Sequence, residues 1–257
     1  MDKKIFVFYG PGGSGKNTIV SSVYDNLTHV ANVEGFNTDD IELLVPITTR
    51  ERRPNEVDGV DYIFMNEDDP DFKHLVEDKD GQISNYKYNI IDKNGNEKIV
   101  HYIYPYPNKP LSILISNPQT VYKLMTDKHL KLDLRIFYII AKKETLLYRL
   151  ITRELKDKNP NIKEVVRRFM SDLKDFSESP DNLYRNVVLP PGDPHRYNND
   201  ADFDSIDKNN RENFGRIVLK ITSEIIKTIT DENSSSSKLK SYDRLYERMM
   251  NAVCKAD

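Results

Sequence analysis

A glycine-rich loop near the N-terminus is the feature that most restricts how this chain can fold. Glycines stand at positions 10, 12, 13 and 15, and Lys16 follows directly. The apolar run at residues 5–9 is typical of a central strand covered on both faces, and helical spacing of apolar residues follows from Ile19 to Leu27. The order of strand, glycine loop and helix predicts an α/β fold in which loop N–H groups and the positive end of the helix surround a phosphate.

The remaining chain continues to alternate strands with helices. Later strands are predicted at residues 111–115, 134–140 and 186–189, and helices from about 118 and 143 and at 163–176 and 213–230. Residues 190–210 are polar and predict a loop. This alternation predicts a core of about five parallel strands with helices on both faces.

Residues 46–107 have a different pattern. A strand is predicted at 62–65, and segments 83–91 and 98–104 flank Asn94-Gly95, which is a strong hairpin signal. The stretch therefore predicts a small antiparallel lobe inserted into the core. Alternating tyrosines in this hairpin indicate packing on one of its faces more than base stacking; they are Tyr86, Tyr88, Tyr102, Tyr104 and Tyr106.

The glycine loop has the pattern of a Walker A motif, or P-loop, which predicts ATP binding. Its predicted ATP-binding residues are Gly12, Gly13, Ser14, Gly15, Lys16, Asn17 and Thr18. Lys16 supplies a full positive charge that can follow the transferred phosphoryl group. The strict motif has Ser or Thr after the lysine to bind Mg²⁺; here Asn17 stands there and Thr18 comes next, so either is the candidate metal ligand.

Residues 48–62 carry the pattern that separates this chain from other P-loop proteins. They contain Thr-Thr-Arg, a second arginine three residues on, and then Glu-Val-Asp-Gly-Val-Asp-Tyr. This segment closely resembles the guanylate kinase signature, and the resemblance extends, with insertions, from Lys4 to about Leu189. It implies a P-loop kinase with a parallel-sheet core, an inserted antiparallel NMP-binding lobe and a helical lid. The implied reaction is phosphorylation of a nucleoside or deoxynucleoside monophosphate, with ATP and Mg²⁺.

The resemblance also implies roles for individual side chains. Arg50 and Arg53 would hold the acceptor phosphate, Tyr62 would hydrogen-bond to it, and Tyr102 is the best candidate for a second phosphate-binding tyrosine. Planar arginine forks suit this task because they bind phosphate through two bonds and stay charged. The implied catalytic set is Lys16, Arg50, Arg149, Arg153 and Arg168, the last three being similar to lid arginines that close over ATP. No general base is needed, since the acceptor phosphate oxygen is already a nucleophile.

The base-recognition positions differ from the family pattern. Asn85 stands where guanylate kinases have a glutamate, and Asn117 where they have a second acid. An asparagine both donates and accepts hydrogen bonds, so it loses charge assistance toward guanine. GMP or dGMP is the first expectation, and an unusual base, such as a modified nucleotide handled by a virus, is a second hypothesis. The family's adenine-contacting asparagine after the last strand corresponds to Pro190.

The same resemblance predicts the domain organisation. A guanylate-kinase-like domain would span residues 1–230, with its core at 1–45 and 108–230, its NMP-binding lobe at 46–107 and a lid at about 153–163. A linker with four serines, residues 231–237, and an amphipathic helix at 242–253 would follow. The chain would act as a monomer or a homodimer.

Composition excludes several other classes of protein. The net charge is -3 without a long basic stretch, which argues against a nucleic-acid partner. We expect no membrane span or secretion signal, because no apolar run approaches about 18 residues. The single cysteine, Cys254, fits a reducing cytoplasm.

Two alternative functions remain open at this level. Scaffold proteins carry guanylate-kinase-like domains that bind phosphorylated peptides, but those typically have degraded P-loops, whereas Lys16 and its glycines are intact here. Ribose-bisphosphate kinases also resemble guanylate kinases, although the Glu-Val-Asp-Gly segment favours the nucleotide kinase. ATP binding discriminates the peptide-binding module from the enzymes.

Overall fold

A computed structural model of the protein describes residues 3–34, 37–53, 56–92, 94–127, 129–200 and 208–231. The predicted linker, apart from its first residue, and the predicted C-terminal helix lie outside the described residues. Within the described ranges, no helix is both long enough and apolar enough to cross a membrane.

The core is a sheet of five parallel strands, as the sequence predicts. In spatial order these are β2 (Ile41–Leu44), β7 (Leu111–Ser116), β1 (Lys3–Tyr9), β8 (Leu132–Ile140) and β9 (Arg196–Asn198). Strand β1 is apolar along nearly its whole length because both of its faces are covered. Phe6 and Phe8 belong to the hydrophobic cluster on one side of the sheet, and Val7 and Tyr9 to the cluster on the other.

Helices cover both faces of this sheet. The described helices of the core and lid are α1 (Lys16–Glu34), α3 (Pro118–Thr126), α4 (Lys143–Glu154), α5 (Ile162–Asp175) and α6 (Lys208–Asp231). Buried side chains of α1 and α6 pack on the Phe6 and Phe8 side, and those of α3 pack on the Val7 side. Helices α4 and α5 pack together beside the glycine loop, and the predicted lid at about 153–163 corresponds to the end of α4, the start of α5 and the segment between them.

The inserted lobe contains a second sheet and one helix. Its elements are β3 (Ile47–Thr48), β4 (Ile63–Phe64), α2 (Pro70–Glu77), β5 (Gln82–Ile91) and β6 (Glu97–Pro105). The spatial order of the strands is β4-β3-β6-β5. Strand β6 pairs antiparallel with β3 and β5, which confirms the predicted hairpin, whereas β3 and β4 pair in parallel. Helix α2, which the sequence pattern does not predict, starts at an Asp69 N-cap followed by Pro70 and buries Phe72.

The prediction for the last strand is wrong. Residues 186–189 are not a strand; a short 3-10 turn spans Arg185–Val187, and Val187 and Val188 are buried against the core. The last strand is β9, inside the segment predicted as a loop. Strand β9 has only three residues, Arg-Tyr-Asn, and therefore gives no apolar pattern, while the apolar residues before it cover the sheet without joining it.

The tip of the β5–β6 hairpin is bonded to the start of α5. The Asn161 side-chain amide donates to the carbonyl oxygens of Ile91 at 3.0 Å and Asp92 at 2.8 Å. In the other direction, the Ile91 N–H donates to Glu164 Oε2 at 2.9 Å. The inserted lobe and the lid are therefore directly connected.

Candidate active site

The glycine loop lies between β1 and α1, as predicted, and its conformation depends on glycine at two positions. Gly10 has φ +151°, and a Cβ there would lie 1.8 Å from the Ile139 carbonyl oxygen. Gly13 has φ +82°, and a Cβ there would lie 2.9 Å from the Leu146 carbonyl oxygen. The close approach of β8 and α4 therefore requires bare backbone, and the loop keeps the curvature that a phosphate cradle needs.

Lys16 is the first residue of α1, and its ammonium group turns back onto the loop. Its Nζ donates to the Gly10 carbonyl oxygen at 2.6 Å and to the Pro11 carbonyl oxygen at 2.9 Å. Burial lowers the pKa of Lys16 to about 8; Asp172 opposes this change, and repulsion from Arg168 and Arg153 adds to it. The lysine thus lies in a region with too few anions to balance its charge.

Asn17 and Thr18 are exposed on the first turn of α1, beside the loop. Among the described residues, no group of three or more His, Cys, Asp or Glu side chains could hold a metal ion. Mg²⁺ commonly keeps several waters and binds protein through one or two ligands plus substrate phosphates. The exposed oxygens of Asn17 and Thr18 fit that mode of binding.

Arg50 is the most constrained cation of the inserted lobe. Its two terminal nitrogens each donate to one oxygen of Glu56 at 2.6 Å, and its Nε donates to Tyr102 Oη at 2.6 Å. The guanidinium also lies 4.5 Å from the centre of the Tyr62 ring. Burial alone would lower the pKa of Arg50, but the hydrogen bonds to Glu56 and the nearby tyrosines raise it above its usual value.

Arg53 shares Glu56 with Arg50 but is less well neutralised. Its backbone N–H donates to Glu56 Oε2 at 3.0 Å, while its side chain is 3.5 Å from Glu56 Oε1. Burial lowers the pKa of Arg53, and repulsion from Arg168 and Arg50 lowers it further. Arg53 therefore lies within electrostatic range of the lid as well as of Arg50.

The lid arginines divide into two groups. Burial lowers the pKa of Arg153 to about 10, with added repulsion from Arg168 and Arg53. Arg149 instead contacts the backbone, donating to the Gly13 and Asn199 carbonyl oxygens at 3.0 Å each. The structure thus brings Arg153 and Arg168 together with Lys16 and Arg53, whereas Arg149 braces the glycine loop.

Asp172 is a residue of this site that the sequence analysis missed. Its Oδ2 accepts a hydrogen bond from the Gly12 N–H at 2.6 Å, although the two residues are 160 positions apart. A Cβ on Gly12 would lie 2.9 Å from this oxygen and 3.5 Å from Arg168 Nη2. The one available signal was helical spacing, since Asp172 lies one turn after Arg168 on α5.

The tyrosines of the hairpin pack beside Arg50. Tyr62 meets Tyr102 edge-on with ring centres 5.6 Å apart, and Tyr86 stacks on Tyr102 at 5.6 Å. Tyr88 and Tyr104 extend the cluster. The structure therefore brings the predicted residues Tyr62 and Tyr102 together with Arg50, at the end of the site nearest the inserted lobe.

The two asparagines predicted to read the base are placed differently. The Asn117 side chain caps α3, with Oδ1 accepting from the Thr120 N–H at 2.8 Å, and its amide donates to Tyr86 Oη. Asn85 is paired with Ile103, one position from the Tyr86–Tyr102 pair. Because strand side chains alternate, Asn85 lies on the opposite face of the hairpin from these tyrosines. The structure brings Asn117 to the tyrosine cluster and leaves Asn85 on the other face.

Asn199 follows β9 directly and is the second residue that sequence reasoning missed. Its side-chain amide donates to the Ser14 carbonyl oxygen at 2.8 Å, and its N–H donates to the Ile140 carbonyl oxygen at 2.7 Å. Its Oδ1 is buried and has no hydrogen-bond partner within the described part of the chain. The sequence pattern places the last strand at 186–189, so the residue expected directly after that strand is Pro190 and not Asn199.

Comparison with known sequences gives one family. The sequence model of the guanylate kinase family matches residues 2–186. Among curated proteins, the guanylate kinase of Oceanobacillus iheyensis is 32% identical over 94 residues, covering 37% of this chain and 38% of that protein. The guanylate kinase of Zymomonas mobilis is 42% identical over 72 residues, covering 28% and 27%. These matches span well under half the length of the curated relatives.

A solved structure provides a further likeness. The crystal structure of guanylate kinase from Anaplasma phagocytophilum aligns over 96% of each chain, with a TM-score of 0.43 and 17% identity.

Proposed function

The chain belongs to the guanylate kinase family, and from this premise we propose that it transfers the γ-phosphoryl group of ATP to a nucleoside or deoxynucleoside monophosphate. GMP or dGMP is the first acceptor to expect. The proposal covers one catalytic unit, residues 1–230, with an NMP-binding lobe at 46–107 and a lid at about 153–163. We further propose that the protein is a cytoplasmic monomer or homodimer whose partners are nucleotides.

The observation that carries this proposal is the convergence of cations from three separate elements. Lys16 comes from the loop, Arg53 from the inserted lobe, and Arg153 and Arg168 from the lid. Repulsion from Arg168 helps to lower the pKa of each of the other three. Clustered, partly buried cations are costly without anions, so the arrangement favours ligands that carry several negative charges. Two phosphorylated substrates placed end to end have that chemistry.

On the acceptor side, Arg50, Arg53, Tyr62 and Tyr102 would hold the monophosphate. Glu56 holds the Arg50 fork in a fixed orientation through two hydrogen bonds of 2.6 Å. With the bonds from Nε to Tyr102 and from Nη1 to the Glu51 carbonyl oxygen, the described contacts leave one N–H of Nη2 for the phosphate. A guanidinium oriented in advance loses less side-chain entropy when phosphate binds. The acceptor oxygen can then approach the donor in line without a general base, because positioning and charge neutralisation supply the catalysis.

On the donor side, the glycine loop and Lys16 would hold the ATP phosphates, while Arg153 and Arg168 face the transferred group. Arg149 would support this arrangement through its bond to the Gly13 carbonyl oxygen. Asn17 or Thr18 would hold Mg²⁺, which would neutralise part of the phosphate charge. Asn199 takes the place after the last strand at which the family has its adenine-contacting asparagine.

Base selection is proposed to depend on Asn117 and the adjoining Tyr86 hydroxyl. Both can donate as well as accept hydrogen bonds, and neither carries the negative charge with which a carboxylate binds the N–H groups of guanine. Asn85 is paired with Ile103 and lies on the other face of the hairpin, so we do not expect it to contact the base. An acceptor other than GMP is therefore a specific possibility to measure.

The test is ADP release from ATP and Mg²⁺ against a panel of ribo- and deoxynucleoside monophosphates. Turnover with one or two members supports the kinase and identifies the base. ATP binding without turnover on any member would contradict the proposal for these acceptors and direct attention to a modified nucleotide or a ribose-bisphosphate acceptor. Absence of ATP binding would contradict both kinase alternatives and favour the phosphopeptide-binding module.

A further inference from the structure

Asp172 is a charged residue of the site to which the proposed function gives no role. Its carboxylate accepts a hydrogen bond from the Gly12 N–H at 2.6 Å, a distance typical of a charge-assisted bond. Loop N–H groups of this kind are donors arranged for phosphate oxygens. A carboxylate oxygen is also an anionic acceptor, so Asp172 occupies one of the donors that a phosphate would use.

The charges around Asp172 also indicate that its carboxylate lies where a phosphate would bind. Lys16 is close enough that Asp172 opposes the lowering of its pKa. Arg168 lies one helical turn before Asp172, and both side chains come within contact distance of the position a Gly12 Cβ would take. The carboxylate therefore neutralises part of the cation cluster at the glycine loop, from helix α5, whose first residues belong to the proposed lid.

We propose that Asp172 is an internal substitute for a donor phosphate oxygen, which stabilises the nucleotide-free site and has to leave the loop when ATP binds. Asp172 then sets the affinity for ATP. A site that is open only part of the time binds its ligand more weakly, in proportion to the open fraction. The inference rests on the proposed function only in taking ATP as the ligand of the loop.

Two effects of opposite sign distinguish this role from ordinary structural support. Removing the charge should destabilise the nucleotide-free protein, because less anionic charge then offsets Lys16 and Arg168. The same change should strengthen ATP binding, because the ligand no longer displaces a carboxylate. A residue that only shaped the loop would weaken both stability and binding when replaced.

The experiment measures ATP and inorganic pyrophosphate binding by calorimetry, without Mg²⁺, for the wild type, Asp172→Asn and Asp172→Ala. Asparagine preserves a hydrogen-bond acceptor and removes the charge, while alanine removes both. We expect the Kd for each ligand to fall by about three- to tenfold in Asp172→Asn, and at least as much in Asp172→Ala. Thermal denaturation of the nucleotide-free variants should show lower Tm values.

Asp175→Asn is the matched control. It removes the same charge one turn further along α5, where the carboxylate accepts from Ser171 Oγ at 3.3 Å. We expect its Kd for pyrophosphate to stay within about twofold of the wild type, because this half-buried carboxylate is bonded to Ser171 on its own helix, one turn farther from the glycine loop. Equal tightening in Asp175→Asn would overturn the proposal, since a general field effect would then suffice.

Unchanged or weaker ligand binding in Asp172→Asn would also overturn it. If a Mg²⁺ titration showed weakening only in the presence of the metal, Asp172 would be a metal ligand and not a phosphate substitute. Measurements on the wild type distinguish a failure of the proposed function from a failure of the proposed role of Asp172. Binding of pyrophosphate but not ATP, with tightening in Asp172→Asn, would refute the proposed function and support the role of Asp172. ATP binding by the wild type without tightening in the variant would refute only the latter.

Discussion

The proposed donor loop and the proposed acceptor arginines each contact a carboxylate of the protein itself, but the two carboxylates are held very differently. Glu56 lies six residues from Arg50 in the same segment, and both of its oxygens accept bonds of 2.6 Å. Asp172 lies 160 residues from Gly12 and reaches the loop from α5. A contact within one segment costs little chain ordering, whereas the distant contact exists only while α5 is packed against the loop.

The pKa shifts on the two sides show the consequence of this difference. Glu56 raises the pKa of Arg50 despite burial, so the acceptor side has a permanently paired cation. Burial lowers the pKa of Lys16 even though Asp172 opposes the change. The acceptor side is therefore organised before its substrate arrives, while the donor side remains short of anions. The Glu56–Arg50 pair forms between residues close in sequence, whereas the Asp172–Gly12 contact requires the folded chain.

The largest expected effect is on the donor side. Lys16→Ala should lower kcat/KM by about a thousandfold, because the charge that follows the transferred group is lost. It should not lower the free energy of unfolding, since the lysine charge is unfavourably placed before ATP binds. Steady-state kinetics and urea denaturation measure the two quantities, with the exposed Lys73→Ala as the control. A large loss of stability in Lys16→Ala would contradict the contrast between the two sides.

Glu56→Gln should change ligand affinity in the opposite direction to Asp172→Asn, although both substitutions should lower stability. Breaking a largely buried ion pair, with side chains 4% and 15% exposed, should lower the free energy of unfolding by about 2–3 kcal/mol. The KM for the acceptor should rise at least about tenfold, because Arg50 loses its fixed orientation. Glu51→Gln, an exposed neighbour, is the control for charge alone. If Glu56→Gln strengthened acceptor binding, Glu56 would be a displaceable anion like Asp172.

The donor side should also respond to pH. With its pKa near 8, Lys16 loses its proton as pH rises through that value, whereas the unfolded chain stays protonated up to about 10.5. Between these values the unfolded state binds more protons, so the contribution of Lys16 to stability increases with pH. ATP affinity should move the other way and fall by about tenfold between pH 7 and 9. Lys16→Arg keeps its charge throughout, so a similar fall in that variant would refute the assignment to Lys16.

The smallest effect concerns the base. Asn117→Asp preserves the oxygen that caps α3 and replaces the amide that donates to Tyr86 with a charged acceptor. We expect the ratio of kcat/KM for GMP to that for AMP to rise by about fivefold. Asn85→Asp, on the other face of the hairpin, should leave the ratio unchanged. Equal responses of the two variants would place Asn85 in the base site as well.

The parts of the fold that could be predicted from sequence are those with local signals. The glycine loop, the apolar strand β1 and the Asn94-Gly95 hairpin are each specified by neighbouring residues. Strand β9 and helix α2 were missed because they are short, and the apolar residues 186–189 were mistaken for a strand because burial alone does not distinguish a strand from a covering turn.

For the site as well, only residues with a local sequence signal could be predicted. The arginines and the loop were found through a linear pattern, and their individual roles stay predictions. Asp172 and Asn199 contact the loop across 160 and 185 residues, so only the folded chain places them there. The face of Asn85 depends on the strand register, which is irregular between Gln82 and Ser84.

The bonds between the hairpin tip and α5 affect the order of events in a catalytic cycle. Asn161 both caps α5 and donates to Ile91 and Asp92, so a movement of the lobe relative to α5 would have to carry α5 along or break these bonds. If the proposed acceptor closes the lobe, we expect it to reduce the work needed for the donor to close the lid, and by reciprocity the donor should do the same for the acceptor. The long hairpin would then make the binding of one substrate favour the binding of the other.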